Sequence, residues 1–124
     1  MTRYFTLVEA QGLVNWLEGI FNDLSPLLKR LDELNDNIEQ MENPVISNGV
    51  DDVIIERIES MERELSNTLA RINEEIQSIH KRGILVKSIQ HGLVDFPYIF
   101  EDREVYLCWH LGEQEIKSWH EIDT

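Results

Sequence analysis

Between Leu7 and Ile38 apolar residues recur in alternating steps of three and four: Leu7, Ala10, Val14, Leu17, Phe21, Leu24, Leu28 and Leu31, resuming at Ile38. That spacing draws one stripe along an α-helix and repeats as the a and d positions of a heptad. A second row, Leu13, Ile20, Leu27, Leu34 and Met41, falls seven apart beside the first. The stripe is wider than a two-stranded seam needs, so the helix must bury it against more than one neighbouring surface. Thr6 followed by Glu9 forms a capping box, with Phe5 placed as a hydrophobic staple, which starts the helix near residue 7. Ser25-Pro26 interrupts the run and would suit the N-cap and first turn of a new helix. The apolar phase persists across it, which favours one kinked helix over residues 7–42.

The segment "NPVISNG" (Asn43 to Gly49) reads as a turn-rich break. Asp51 or Asp52 then caps a second helix over residues 52–82, with Ile54, Ile58, Met61, Leu65, Leu69, Ile72, Ile76 and Ile79 on its inner face. His80, Lys81 and Arg82 suit the negative end of its dipole, and Gly83 supplies a left-handed cap. Residues 1–83 therefore predict a long antiparallel helical hairpin, coiled-coil-like. The apolar surface left on its far side predicts a homodimer in which two hairpins form a four-helix arrangement. Folding of the C-terminal tail over that surface is the alternative.

After Gly83 the pattern changes to short β-type runs, "ILVKSI", "LVDFPYIF", "EVYLCWHL" and "EIKSWHEI", punctuated by Gly92, Glu101-Asp102 and Gly112. Residues 84–124 predict a small antiparallel β-meander with Pro97 at an edge or a bulge. The fold class is α+β, and the 124 residues suit one structural domain.

Charge limits the partners. The chain holds 24 acidic residues against 11 Lys and Arg, a formal charge of −13. Nucleic acid and anionic membranes are disfavoured by such a balance, and a protein partner is the better expectation. A single cysteine forms no internal disulfide and fits a reducing compartment. Glu9 interrupts the apolar run a signal peptide needs, and nothing approaches the ~20 apolar residues of a membrane span. The expectation is a soluble, cytoplasmic protein.

The segments "YFTLVEA", "GILVK", "GLVDFP", "VYLCWHLGE" and "IKSWHE" resemble a prokaryotic family known as domain of unknown function 2203. The Leu-Cys-Trp, Gly-Glu and Trp-His elements, in that order, carry the resemblance, which covers essentially the whole chain. It implies a long helical region followed by a short motif-rich tail, and it supplies no activity. Two departures stand out: the family usually has Gly-Arg where this chain has Asp102-Arg103, and commonly Arg or Lys where His110 stands.

The stretch from Val105 to Glu121 gathers the one cysteine with two histidines and two tryptophans. Cys108, His110 and His120, with Asp95, Glu113 or Glu121 nearby, offer donor atoms for zinc, though their spacing matches no ligand signature. Strand parity decides whether they meet. A two-residue turn at Gly112-Glu113 or Glu113-Gln114 sends His120 to the face of Val105, Leu107 and Trp109. Cys108 and His110 then share the other face with Tyr106, Lys117 and Trp119. Only an odd-numbered loop unites Cys108 with His120. The even loop is expected, because it gathers Ile116 into the apolar row.

On that expectation no metal or cofactor is held. Cys108 is a partly buried small hydrophobe, and His120 is a core-edge histidine bonded to an Asp or to backbone. No Ser-His-Asp arrangement or phosphate-cradling loop is readable, and no catalytic residue is assigned. Arg103, Tyr106, Lys117 and Trp119 make a candidate aromatic binding surface. The sequence thus predicts a non-enzymatic interaction or regulatory module, dimeric through its helices. The rival is a small metal-binding protein or metalloenzyme using Cys108, His110 and His120.

Overall fold

The computed structural model describes residues 2–48 and 52–121, and backbone alone for residues 43–48. Among the described residues three helices, α1 (Leu7–Gly12), α2 (Val14–Asn48) and α3 (Asp52–Lys81), precede four strands, β1 (Leu85–Ser88), β2 (Leu93–Phe100), β3 (Arg103–His110) and β4 (Ser118–Glu121). The fold is α+β, a long helical hairpin followed by an antiparallel meander in the order β1-β2-β3-β4. Packing divides the chain into two compact units: Met1–Leu24 with Glu75–Thr124, and Ser25–Glu74.

The capping box forms as its residues require. The Thr6 hydroxyl accepts from the Glu9 N–H at 3.1 Å, and the Glu9 carboxylate accepts from the Thr6 N–H at 2.9 Å. The single helix expected from residue 7 is nevertheless interrupted at Leu13. Its N–H bonds back only three residues, to the Ala10 carbonyl at 3.0 Å, before the helix resumes. Gly12, a poor helix former, sits at that tightening. Across Ser25-Pro26, α2 is continuous. The carbonyl freed by proline belongs to exposed Asn22, where water can satisfy it.

The break expected at Asn43–Gly49 is displaced, since α2 stays helical through Asn48. Gly49 and the Asp51 cap position lie outside the described residues. At the other end of α3 the chain stops as expected. The Gly83 N–H bonds the His80 carbonyl at 2.9 Å, and glycine takes φ +91°, which an L side chain resists.

In the unit Ser25–Glu74, Leu34, Ile38, Ile58, Thr68 and Ile72 are buried. Thr68, not Leu69, takes the seam position, and Leu69 is left 42 % exposed. In the heptad phase set by Ile58 and Ile72 as a positions, a d position between them falls on Thr68 and Leu69 lies one residue past it, so the buried face turns toward Thr68. Its hydroxyl donates to the Glu64 carbonyl at 2.8 Å, which removes the cost of burying it. Arg30 and Glu64 form a bidentate pair between the helices, with Nη2 to Oε1 at 2.9 Å. A half-buried row remains beside this seam, including Leu27, Leu28 and Leu31 on α2 and Ile54, Met61 and Leu65 on α3.

In the other unit one face of the sheet is the core. Val94, Phe96, Val105, Leu107 and Trp109 are buried there together with Val14, Leu17, Phe21 and Ile79. Phe5 meets Phe96 edge to face at 5.2 Å, and Phe21 lies 6.3 Å from Trp109. Each such fully buried large side chain contributes about 1.5–3 kcal/mol.

Pro97 stands neither on an edge strand nor at a bulge. It lies on the inner strand β2, beyond the residues that β1 pairs. Its missing N–H therefore breaks no ladder bond, and its carbonyl accepts from the Phe5 N–H at 2.8 Å. Phe100 pairs with Arg103 around Glu101-Asp102, both with positive φ (50° and 64°), which is a type I′ hairpin built without glycine.

Candidate functional site

The register of β3 and β4 reverses the parity expected for the last hairpin. Tyr106 pairs with His120 and Cys108 with Ser118, so Cys108 and His120 share one face. The turn closes one residue earlier than a Gly112-Glu113 type II′ turn would. The Glu113 N–H bonds the His110 carbonyl at 3.1 Å, with Gly112 in third position at φ +104°. An odd-numbered segment, 111–117, then separates the strands.

Two side chains hold that segment in place of cross-strand bonds. Glu113 accepts the His110 N–H at 3.0 Å, and its own carbonyl accepts the Trp109 indole N–H at 2.9 Å. Gln11 on α1 donates to the Gln114 carbonyl at 2.8 Å and accepts from the Ile116 N–H at 2.9 Å. Ile116 is thus tied to α1 and does not join the apolar strand row.

The consequence is a polar cluster on the outer face of the sheet. In the β2–β3 register Asp95 lies opposite Cys108, and on β1 it lies opposite Leu85, with Lys87 on the same face. The Asp95 side chain is 2 % exposed. Its Oδ2 meets His120 Nε2 at 3.0 Å and Lys87 Nζ at 3.9 Å, while Oδ1 is buried without a hydrogen-bond partner. His120 Nδ1 lies 2.8 Å from the Glu121 carbonyl, and the Tyr106 ring lies 5.5 Å from the imidazole. Lys87 in turn sits 5.8 Å above the Tyr106 ring.

The contacts of His120 favour its charged form. A carbonyl accepts only, and an ionised carboxylate accepts only. A neutral imidazole has one N–H and satisfies one of the two, so both contacts are met by the imidazolium. Burial opposes that charge, but the bonds to Glu121 and Asp95 outweigh it, and the pKa is raised above the ordinary histidine value. Cys108 is also shifted upward, which disfavours the thiolate. Burial, the Asp95 carboxylate and Glu113 push its thiol pKa up, so it stays protonated. With both ring nitrogens against acceptors and the thiol pKa raised, the geometry suits an ion pair better than a nucleophile beside a base.

The residues singled out in the sequence therefore divide. His110 shares the face of Cys108 but sits four residues from Tyr106, roughly 13 Å along the strand from the His120 pairing position. Its Nε2 lies 3.7 Å from Glu113. Among the described residues no three His, Cys, Asp or Glu side chains are gathered as a metal ion requires. Of the candidate surface, Tyr106 belongs to the polar face. Arg103 and Trp119 alternate onto the opposite face, and Lys117 lies in the connection before β4. On that opposite face Trp119 meets Phe100 at 5.5 Å, and Arg103 pairs with Glu121 at 2.7 Å.

A family model for an uncharacterized conserved protein (DUF2203) matches residues 3–124. The chain belongs to that family. No curated protein and no solved structure matches it.

In this DUF2203 member, sequence reasoning named Asp95 and His120 but not their partnership, and it missed Lys87, Phe100 and Gln11. Asp95 carried one legible signal: an acid inside the apolar run "LVDFPYIF" needs a partner if its strand is central. Gln11 carried none, since its partners lie more than a hundred residues away. Among the described residues no helix is long and apolar enough to cross a membrane.

Proposed function

We propose that the chain is a non-enzymatic interaction or regulatory module, dimeric through its helices, which binds a protein partner at an aromatic patch on the sheet. One observation carries the reading. Phe100 and Trp119, in contact with each other, are 38 % and 50 % exposed on the sheet face that elsewhere buries Phe96, Leu107 and Trp109. Paired aromatics beside an arginine, here Arg103, are the usual anchors of protein interfaces. The closed state of the Asp95–His120 pair supports a binding role over a catalytic one. The half-buried row of the helical unit supports self-association, because a second hairpin would complete its burial. A free thiol at Cys108 suits a reducing cytoplasm.

A photo-crosslinking residue placed at Phe100 or Trp119, in cells of the source organism, tests the patch. A discrete protein adduct at both positions and none at Ile99, which faces the other way, is expected. Equal labelling at all three, or none, contradicts the reading. Light scattering at micromolar concentration tests the dimer, and a monomer overturns it. The rival reading, zinc on Cys108, His110 and His120, predicts stoichiometric metal in protein purified without chelator, lost in Cys108→Ser.

A further inference from the structure

We propose that the Asp95–His120 contact is a proton-dependent latch that holds β4, and with it Trp119, against the sheet. β4 is a short edge strand of residues 118–121 that pairs with β3. Two side-chain contacts reach past β3 to β2, one on each face: His120 to Asp95, and Trp119 to Phe100. The edge strand is thus clamped from both sides, and its polar clamp depends on one proton.

Neither tautomer of a neutral His120 preserves both contacts. With the proton on Nδ1, the Glu121 bond survives, but the Nε2 lone pair faces Asp95 Oδ2 at 3.0 Å. With the proton on Nε2, the Asp95 bond survives and the Nδ1 lone pair faces the Glu121 carbonyl at 2.8 Å. Loss of the proton therefore leaves one contact and makes the other repulsive, and in both tautomers the charge attraction between the imidazolium and Asp95 is gone. Asp95 is not abandoned, because Lys87 already stands 3.9 Å from the same oxygen and takes over the charge. The tie of β4 across β3 is then lost in the Nδ1–H tautomer and weakened to a neutral-donor bond, strained against the Glu121 carbonyl, in the Nε2–H tautomer.

The groups facing the imidazole are Asp95 from β2, Lys87 from β1, and Tyr106 and Cys108 from β3, with Glu104 and Tyr4 acting on Tyr106. Tyr106 and Cys108 are both shifted upward, first by burial, and are neutral where His120 titrates. Lys87 opposes the imidazolium and Asp95 supports it. A histidine raised in the folded state contributes its stabilisation below its ordinary pKa and loses it as pH rises through the raised value. The latch is closed below the ordinary histidine pKa and opens as pH rises through the raised value.

Hydrogen exchange of the full chain, corrected for intrinsic rate, tests this. Protection of the β4 amides should fall about tenfold between pH 6 and pH 9, the value of one charge-assisted hydrogen bond, while β2–β3 amides hold steady. His120→Gln keeps a donor but has no proton to lose, so its β4 profile should be flat. Lys87→Met removes the opposing charge and should move the transition to higher pH. A β4 protection independent of pH in the native chain overturns the latch, as does a His120→Gln variant that keeps the dependence. Control of Trp119 by the latch rests on the interaction-surface reading. Crosslinking at Trp119 at the two pH values decides that part, and exchange decides the latch whether or not a partner exists.

Discussion

Replacing His120 by alanine should cost more than replacing the acid it serves. In the native chain a carboxylate that is 2 % exposed has one oxygen unpartnered and the other held by the imidazolium at 3.0 Å. His120→Ala leaves that charge with Lys87 at 3.9 Å as its remaining cation. Breaking a fully buried pair costs roughly 3–5 kcal/mol, and the nearby lysine and 27 % exposure of the His120 side chain reduce this to about 2–3 kcal/mol. Asp95→Val removes the buried charge itself. His120 keeps its bond to the Glu121 carbonyl and reaches water, and valine suits a strand, so the cost is about 1 kcal/mol or less. The double variant should match Asp95→Val, since the alanine then strands nothing.

Urea unfolding followed by tryptophan fluorescence reads this cycle, because Trp109 is fully buried in the same unit. The native advantage over His120→Ala should be full at pH 6 and shrink as pH rises through the raised pKa of His120. Equal costs for the two single variants, or an advantage that grows with pH, would refute the reasoning.

Three other outcomes follow from local geometry. Glu101 and Asp102 occupy left-handed positions that Asn-Gly prefers, so Glu101→Asn with Asp102→Gly should raise stability by about 1 kcal/mol in the same assay. Gln11→Ala removes both bonds that hold residues 114–116, and should cost about 1–2 kcal/mol and strip exchange protection from the Ile116 amide. Cys108, whose thiol is pushed up by burial and by Asp95, should alkylate with iodoacetamide far more slowly at neutral pH than in urea-unfolded chain.

The elements that periodicity governs were legible and those set by distant contacts were not. The stripe from Leu7 to Ile38 announced the first helical region, and Gly83 marked the end of α3, because each signal is local in sequence. The interruption at Leu13 was hidden by the same periodicity, since one tightened turn leaves the apolar phase intact. Thr68 displaced Leu69 from the seam through heptad phase that hydrophobicity alone misreads. The site turned on a single residue of loop parity. Alternation in "VYLCWHLGEQEIKSWHE" is compatible with either face for His120, and the choice was made by Gln11 and Glu113. The expectation that His120 would bond an Asp or backbone anticipated its chemistry, and it bonds both.

The nitrogen resonances of the His120 ring test most directly whether this cluster is a closed ion pair or an open site. At neutral pH the ion pair predicts both ring nitrogens protonated, titrating above the ordinary histidine value and at lower pH in Asp95→Asn. A neutral ring with Nε2 unprotonated at pH 7 would contradict it. His120 would then be free to act as a base or a ligand beside Cys108.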